Sequence, residues 1–218
     1  MGILRKLFVA LIAASMTTGL VLAFAGSHTL RWARPPLPPL SEARPAAALP
    51  AGSPPAGRGR LRPMGRSVPL SLAIPRIGVR AKIIPLGLRP DGSPAVPPLT
   101  TPFVTSWYDL GPTPGAPGAA VIFGHVDSAA VGPAVFYNLG RLRTGDRIDV
   151  TLADGRTAAF RVYGARLYPK TDFPSQGVYG YTRWPTLRLV TCGGQFDRHT
   201  GQYLGSVVVF AEYVGPGS

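Results

Sequence analysis

Beyond Pro69 the chain is cut by proline and glycine into apolar runs too short for ordinary helices, and that punctuation restricts the fold more than any other feature. Proline has no amide hydrogen to donate within a helix, and glycine loses the most backbone freedom on ordering. Together they fill 25 and 27 of the 218 positions. The stretch "LAIPRIGVRAKIIPLGL" predicts short strands broken by prolines, and "GAAVIFGHV", Gly118 to Val126, predicts a buried strand bounded by glycines. A short helix is expected from Ala134 to Leu139 in "AVFYNLGRL". The run "DRIDVTLADGRTAAFRVYGARLY" predicts a hairpin with Asp154-Gly155 as its two-residue turn. A loop from Pro169 to Pro185, a strand from Thr186 to Cys192, a glycine-rich loop and a last strand "SVVVFAEYV" complete the pattern. Many short strands at close spacing predict an antiparallel or mixed β-barrel, without internal repeat.

Upstream, the composition changes twice. After MGILRKL the chain runs apolar from Leu7 to Ala25. At 1.5 Å per residue that run spans ~28 Å, close to a bilayer's hydrocarbon core. Residues 7–26 are therefore expected to be a transmembrane anchor behind a cytoplasmic 1–6, with a cleaved signal peptide as the alternative, since Ala23-Phe24-Ala25 resembles a cleavage site. Residues 27–69 are expected to form a Pro/Ala/Arg-rich linker, too poor in apolar periodicity to offset its ordering entropy and stiffened by proline. Residues 70–218 remain for one folded domain.

The net charge of +13 invites a nucleic-acid reading. Its distribution argues against one. Seven arginines against one Glu fall in residues 27–69, and no basic run with interleaved aromatics or recognition-motif spacing appears elsewhere. No nucleic-acid partner is expected.

Cys192, in "TLRLVTCGG", is the single cysteine, so it closes no intramolecular disulfide. It is either a packing residue or a nucleophile. A nucleophilic thiolate needs a base or a positive charge nearby. His28 follows the apolar segment, His199 lies in the loop after Cys192, and His125 ends the strand "AAVIFGH". Two strand ends converging on one barrel rim can set Cys192 and His125 side by side.

From about Leu72 to Val214 the chain resembles the sortases, cysteine transpeptidases of Gram-positive cell surfaces. The residues that carry the resemblance are "LRLVTC" and "GHVD"; "GPAVFYNLGRLRTGD" and "TCGGQFDRHTGQY" are similar to the class F sortases of actinobacteria. The resemblance implies an eight-stranded β-barrel with short helices, mostly β, behind a membrane anchor. It implies Cys192 as the nucleophile on a Leu-Pro-x-Thr-Gly-type sorting signal and His125 as acid and base. It also implies an arginine at the oxyanion, surface proteins as substrates, and a peptidoglycan precursor or other amine as acceptor. Many sortases carry that arginine about a dozen residues past the cysteine, where this chain has Leu204, Gly205 and Ser206. Arg198 is the nearest downstream arginine and takes the expectation. Arg188 shares a strand face with Cys192, but four residues put it ~13 Å away.

Thr191 and Gly193 are expected to shape the site through their backbones, and Asp127 either orients His125 or is solvated. Phe173, Val178 and Tyr179 sit where sortases dock the Leu-Pro end of the signal, or else cap the core. Calcium-binding sortases use acidic side chains in this loop. Here Asp172 stands alone, so neither metal nor cofactor is expected. Two other functions compete. A Cys-His wall peptidase is one, although the L,D-transpeptidases among such enzymes hold the two residues adjacent rather than at 125 and 192. A non-catalytic, membrane-anchored wall-binding module with an inert Cys192 is the other.

Overall fold

The computed structural model describes residues 33–39 and 61–217. The expected anchor, the residues before it and most of the linker lie outside the described residues. No helix among the described residues is long and apolar enough to cross a membrane.

The strands are β1 (Pro69–Ile74), β2 (Val79–Leu86), β3 (Thr105–Tyr108), β4 (Gly118–Phe123), β5 (Asp127–Ser128), β6 (Gly132–Pro133), β7 (Arg147–Leu152), β8 (Thr157–Pro169), β9 (Pro185–Asp197) and β10 (Gln202–Pro216). Eight of them close a barrel in the order β1-β2-β3-β4-β9-β10-β8-β7, while β5 and β6 form a separate small hairpin. Helix among the described residues is limited to the five-residue α1 (Ser175–Tyr179) and short 3-10 turns. The expected mostly-β barrel is what forms. Most pairings are antiparallel, but β2–β3 and β4–β9 are parallel.

Alternation builds the core. On β9, Leu187 and Leu189 enter the barrel interior with Leu72, Ile122, Phe160 and Val209. Val190 points the other way and joins Val121, Phe123, Val208 and Phe210 in a second apolar cluster on the barrel's outer face. Val178 of α1 is buried in that outer cluster, with Phe173 and Tyr179 packed against it. Strand β4 and the first half of β9 are thus covered on both sides, and β4 is accordingly apolar throughout.

Four local expectations change. The β7–β8 connection is a three-residue loop, not a two-residue one. Gly155 N–H donates to Leu152 O at 3.0 Å, Leu152 N–H donates to Arg156 O at 2.8 Å, and Gly155 takes φ +81°. That is a type I turn with a left-handed glycine, the usual three-residue solution. The expected helix from Ala134 is instead a string of tight turns ending in a 3-10 helix, Leu139–Arg141. Its geometry is dictated from outside, because Phe136 N–H donates to His125 O at 2.9 Å and Val135 N–H to Pro102 O at 3.1 Å. Strand β9 does not stop at Cys192 but runs on through both glycines to Asp197. Finally, part of the linker is folded. Met64 is buried in the barrel's core cluster and its N–H donates to Gly115 O at 2.7 Å. A Cβ on Gly140 would lie 2.1 Å from the Pro36 carbonyl oxygen, so the proline segment rests directly on the barrel. Proline's fixed φ leaves little entropy to lose on docking.

Met64→Ala should therefore destabilise the protein by about 2–4 kcal/mol, as expected for truncating a buried side chain. Chemical denaturation measures it. A change near zero would show that the segment before β1 is an unattached linker after all.

Candidate active site

The site is assembled by two neighbouring parallel strands. Val121 of β4 pairs with Arg188 of β9, and Phe123 pairs with Val190. The contact continues past the end of β4, where Gly124 N–H donates to Val190 O at 3.2 Å. Extended two positions past the last ladder pair, the same register aligns His125 with Cys192. Both residues continue the outer-facing series, Val121–Phe123–His125 and Arg188–Val190–Cys192, because side chains alternate with a period of two. Gly124 lets the Val135–Phe136 turn pack against this strand end: a Cβ there would lie 2.6 Å from the Phe136 ring.

One ring nitrogen of His125 is already engaged. Its Nε2 lies 2.6 Å from the carbonyl oxygen of Pro97. A carbonyl only accepts, so Nε2 carries the hydrogen and Nδ1 is left to exchange a proton with another group. Asp127 does not fill the orienting role. Its carboxylate accepts a hydrogen bond from the Tyr203 hydroxyl of β10. Burial and that bond push the Tyr203 phenol well above its ordinary range.

Cys192 is half-buried, and burial pushes its thiol up. The nearby Asp127 charge adds to that rise, and the Lys170 charge opposes it. The proton therefore stays on sulfur near neutrality, and attack requires a base. Across from Cys192 on β10 stands Ser206, and across from Ser206 on β8 stands Tyr168.

The other sequence candidates fall in different places. Thr191 is buried on the interior-facing series with its hydroxyl unpartnered, so only its backbone borders the site. A Cβ on Gly193 would meet Val207 at 2.8 Å, which keeps β9 and β10 in close contact beside the cysteine. Phe173 and Tyr179 share the outer face with Cys192, their rings 6.1 Å apart, and burial pushes the Tyr179 phenol up to about 12. Val178 is wholly buried beneath them.

Neither arginine reaches the thiol. Arg188 is only 3% exposed. Its guanidinium lies over Phe210 at 4.9 Å and Tyr163 at 6.0 Å, and Nη1 donates to Leu187 O at 3.1 Å. Nε has no partner, and burial lowers the group's pKa. Arg198 is exposed in the β9–β10 turn, just past the last ladder pair, Asp197 with Gln202. Six residues separate it from Cys192, at most roughly 20 Å along an extended chain, with an irregularity of the ladder and a left-handed Gly194 in between. His199 is exposed in the same turn. Sequence reasoning missed the Pro97 carbonyl and Tyr203, because no local signal ties either to residues so distant in the chain.

What this arrangement supports is nucleophilic chemistry: a protonated thiol beside an imidazole with one free nitrogen. Arg188 serves packing. Replacing it with Met should leave the melting temperature unchanged or raise it, because a buried, unpaired charge is exchanged for apolar volume. Arg188→Ala should cost about 2–4 kcal/mol through the cavity it opens. A Met variant that melts clearly below the parent would show that the charge itself holds the outer cluster.

Comparisons with known proteins bear on the fold and the family. The family model described as the Sortase domain matches residues 72–214. Among solved structures, Sortase A from Corynebacterium diphtheriae superimposes with a TM-score of 0.53 at 20% identity, over 69% of this chain and 62% of that one. The chain thus spans less than two thirds of that protein's length. Sortase C1 of the Group B Streptococcus Pilus Island 1 gives 0.53 at 17% identity, covering 70% and 68%. Sortase A of Listeria monocytogenes gives 0.52 at 15% identity, covering 70% and 90%. No curated protein matches the chain.

Proposed function

The chain belongs to the sortase family, and on that footing we propose that it is a membrane-anchored cysteine transpeptidase of class F. It cleaves a Leu-Pro-x-Thr-Gly-type sorting signal between Thr and Gly and joins the new carboxyl end to an amine of the cell wall. The observation that supports this reading is the parallel β4–β9 register, which, carried two positions past its last pair, aligns His125 with Cys192 on the outer-facing series.

The chemistry follows from the state of the two groups. Burial keeps the proton on Cys192, so the imidazole Nδ1 of His125 takes it as sulfur attacks the Thr carbonyl carbon. The carbonyl π electrons move to oxygen, giving a tetrahedral oxyanion. Its collapse restores the carbonyl and breaks the C–N bond, and the Gly amine leaves with the proton that His125 returns. A thioester on Cys192 remains. An incoming amine then attacks the thioester, His125 takes the amine's proton, and the thiol leaves with it. The resulting amide joins the surface protein to a peptidoglycan precursor or another amine. The outer face, with Phe173 and Tyr179 beside Tyr168, offers an apolar wall for the Leu-Pro end. Val178 supports that wall from beneath.

On this reading residues 7–26 are a single membrane span, and 27–69 connect it to a barrel outside the cell on which part of that segment, at Pro36 and Met64, is packed. The class assignment rests on "GPAVFYNLGRLRTGD" and "TCGGQFDRHTGQY".

Incubating the protein with a Leu-Pro-x-Thr-Gly peptide and an amine, with mass spectrometry of the products, tests the reaction. Cys192→Ala and Cys192→Ser should abolish both the acyl-enzyme and the ligated product while leaving the melting temperature nearly unchanged. Turnover in either variant would sink the covalent route. Arg198→Ala is expected to keep acylation close to the parent rate, because the turn holds it far from the thiol. A fall of roughly 10²–10³, the usual loss of an oxyanion donor, would return that role to Arg198.

A further inference from the structure

The site has a nucleophile and a proton carrier, and neither Arg188, laid on Phe210 and Tyr163, nor Arg198, out in the β9–β10 turn, is placed against the thiol. The exposed head of β10 offers Leu204, about half exposed, where a cation would be useful. The negative charge that develops on the Cys192 sulfur still needs a counterpart. The groups around the sulfur come from every neighbouring element. They are His125 after β4, Asp127 of β5, Tyr203 and Ser206 of β10, Tyr168 of β8, and Lys170 at the start of the 3-10 helix Lys170–Asp172. Arg166, two places before Tyr168 on the same face of β8, is a second cation, but it is engaged with the Tyr168 hydroxyl. Among the other groups Lys170 alone bears a permanent positive charge near neutrality.

Strand geometry points the lysine toward the thiol. Cys192, Ser206 and Tyr168 form one row across β9, β10 and β8. Two strand spacings make that row about 9.6 Å wide. Lys170 follows Tyr168 by two residues and so continues the series Arg166–Tyr168–Lys170 that faces the same side as Cys192. The chain then turns at Lys170 into a 3-10 helix packed on β10, the strand that separates the lysine from the cysteine. A long flexible stem with a compact charge at its end suits that diagonal reach.

We propose that Lys170 is the cationic partner of Cys192, a positioning residue that stabilises the thiolate through space in place of an arginine at the head of the last strand. The inference rests on Cys192 as the reading's nucleophile, but it concerns the free enzyme and needs no substrate. The direction in which Lys170 acts on the thiol, opposing burial and Asp127, agrees with it. Lys170 is exposed, so its influence is screened by solvent and salt.

The test uses the chain's single cysteine. The full-length protein is alkylated with iodoacetamide over a range of pH, and the rate is followed by intact mass. Lys170→Met should slow alkylation near neutral pH by roughly two- to fivefold, the worth of a partly exposed charge pair, and move the rate profile to higher pH. Lys170→Arg should retain the parental profile, and Arg198→Ala should leave it unchanged. Raising salt to about 1 M, where the screening length is about 3 Å, should slow the parent toward the Met variant, a result that needs no folded mutant. A Met variant with the parental profile, a parent insensitive to salt, or a shift produced by Arg198→Ala instead would overturn the proposal. The peptide reaction separates this from the wider reading. A Lys170-dependent profile in a protein that acylates no sorting peptide keeps this inference and rejects the transpeptidase. Acylation with a Lys170-independent profile does the reverse.

Discussion

The parallel pairing of β4 with β9 is the contact on which the rest of this protein depends. A parallel pair cannot be closed by a tight turn. The chain must leave β4, travel around the barrel and come back alongside. Here the excursion contains β5 to β8, and those strands supply the other wall of the site. The pairing also fixes phase. A slip of one residue would send Cys192 into the interior and bring Thr191 out, because faces alternate with a period of two. Burial of β9 on both sides makes such a slip costly, since Leu187 and Leu189 on one face and Val190 on the other would exchange environments.

The same double burial shapes the chemistry. A thiol at the edge of an apolar outer face is held in its protonated form, so reactivity depends on what surrounds it rather than on the cysteine's intrinsic acidity. The imidazole is pre-set by a carbonyl from the loop between β2 and β3, which fixes which nitrogen is free. Asp127, the acid nearest the histidine in the chain, is occupied by Tyr203 and clamps the β5–β6 hairpin to the head of β10. Arg188 shows the opposite economy. A cation on the cysteine's own strand face is laid flat on Phe210 and Tyr163 and removed from solvent.

Several local misreadings share one cause. The sequence around Ala134 has helical composition, yet backbone hydrogen bonds to His125 and Pro102 hold it in tight turns. The glycines after Cys192 resemble a loop signal, but β10 approaches so closely that a side chain at Gly193 or Gly205 would collide with Val207 or Leu167. Gly193 and Gly205 thus serve packing between strands, while Gly194 takes φ +84° where the β9–β10 register shifts. The segment before β1 looks unable to fold, yet Met64 finds a place over Gly115 that only the closed barrel provides.

What the sequence determined by itself is the material of the fold. Dense proline and glycine exclude long helices, alternation and β-branched runs specify strands, and a single cysteine after an apolar run, with a histidine closing another, marks the candidate pair. Those signals are local and survive in one dimension. The tertiary structure alone decided which groups meet across strands distant in the chain. It set the Pro97 carbonyl against His125, Tyr203 against Asp127, and Lys170 on the diagonal from Cys192. It also kept Arg188 and Arg198 away from the thiol, although one lies four and the other six residues from it. The physical reason is that a strand carries its side chains apart at about 3.3 Å per residue, while neighbouring strands lie only about 4.8 Å apart. In a barrel, closeness in space is set by register across strands rather than by distance along the chain.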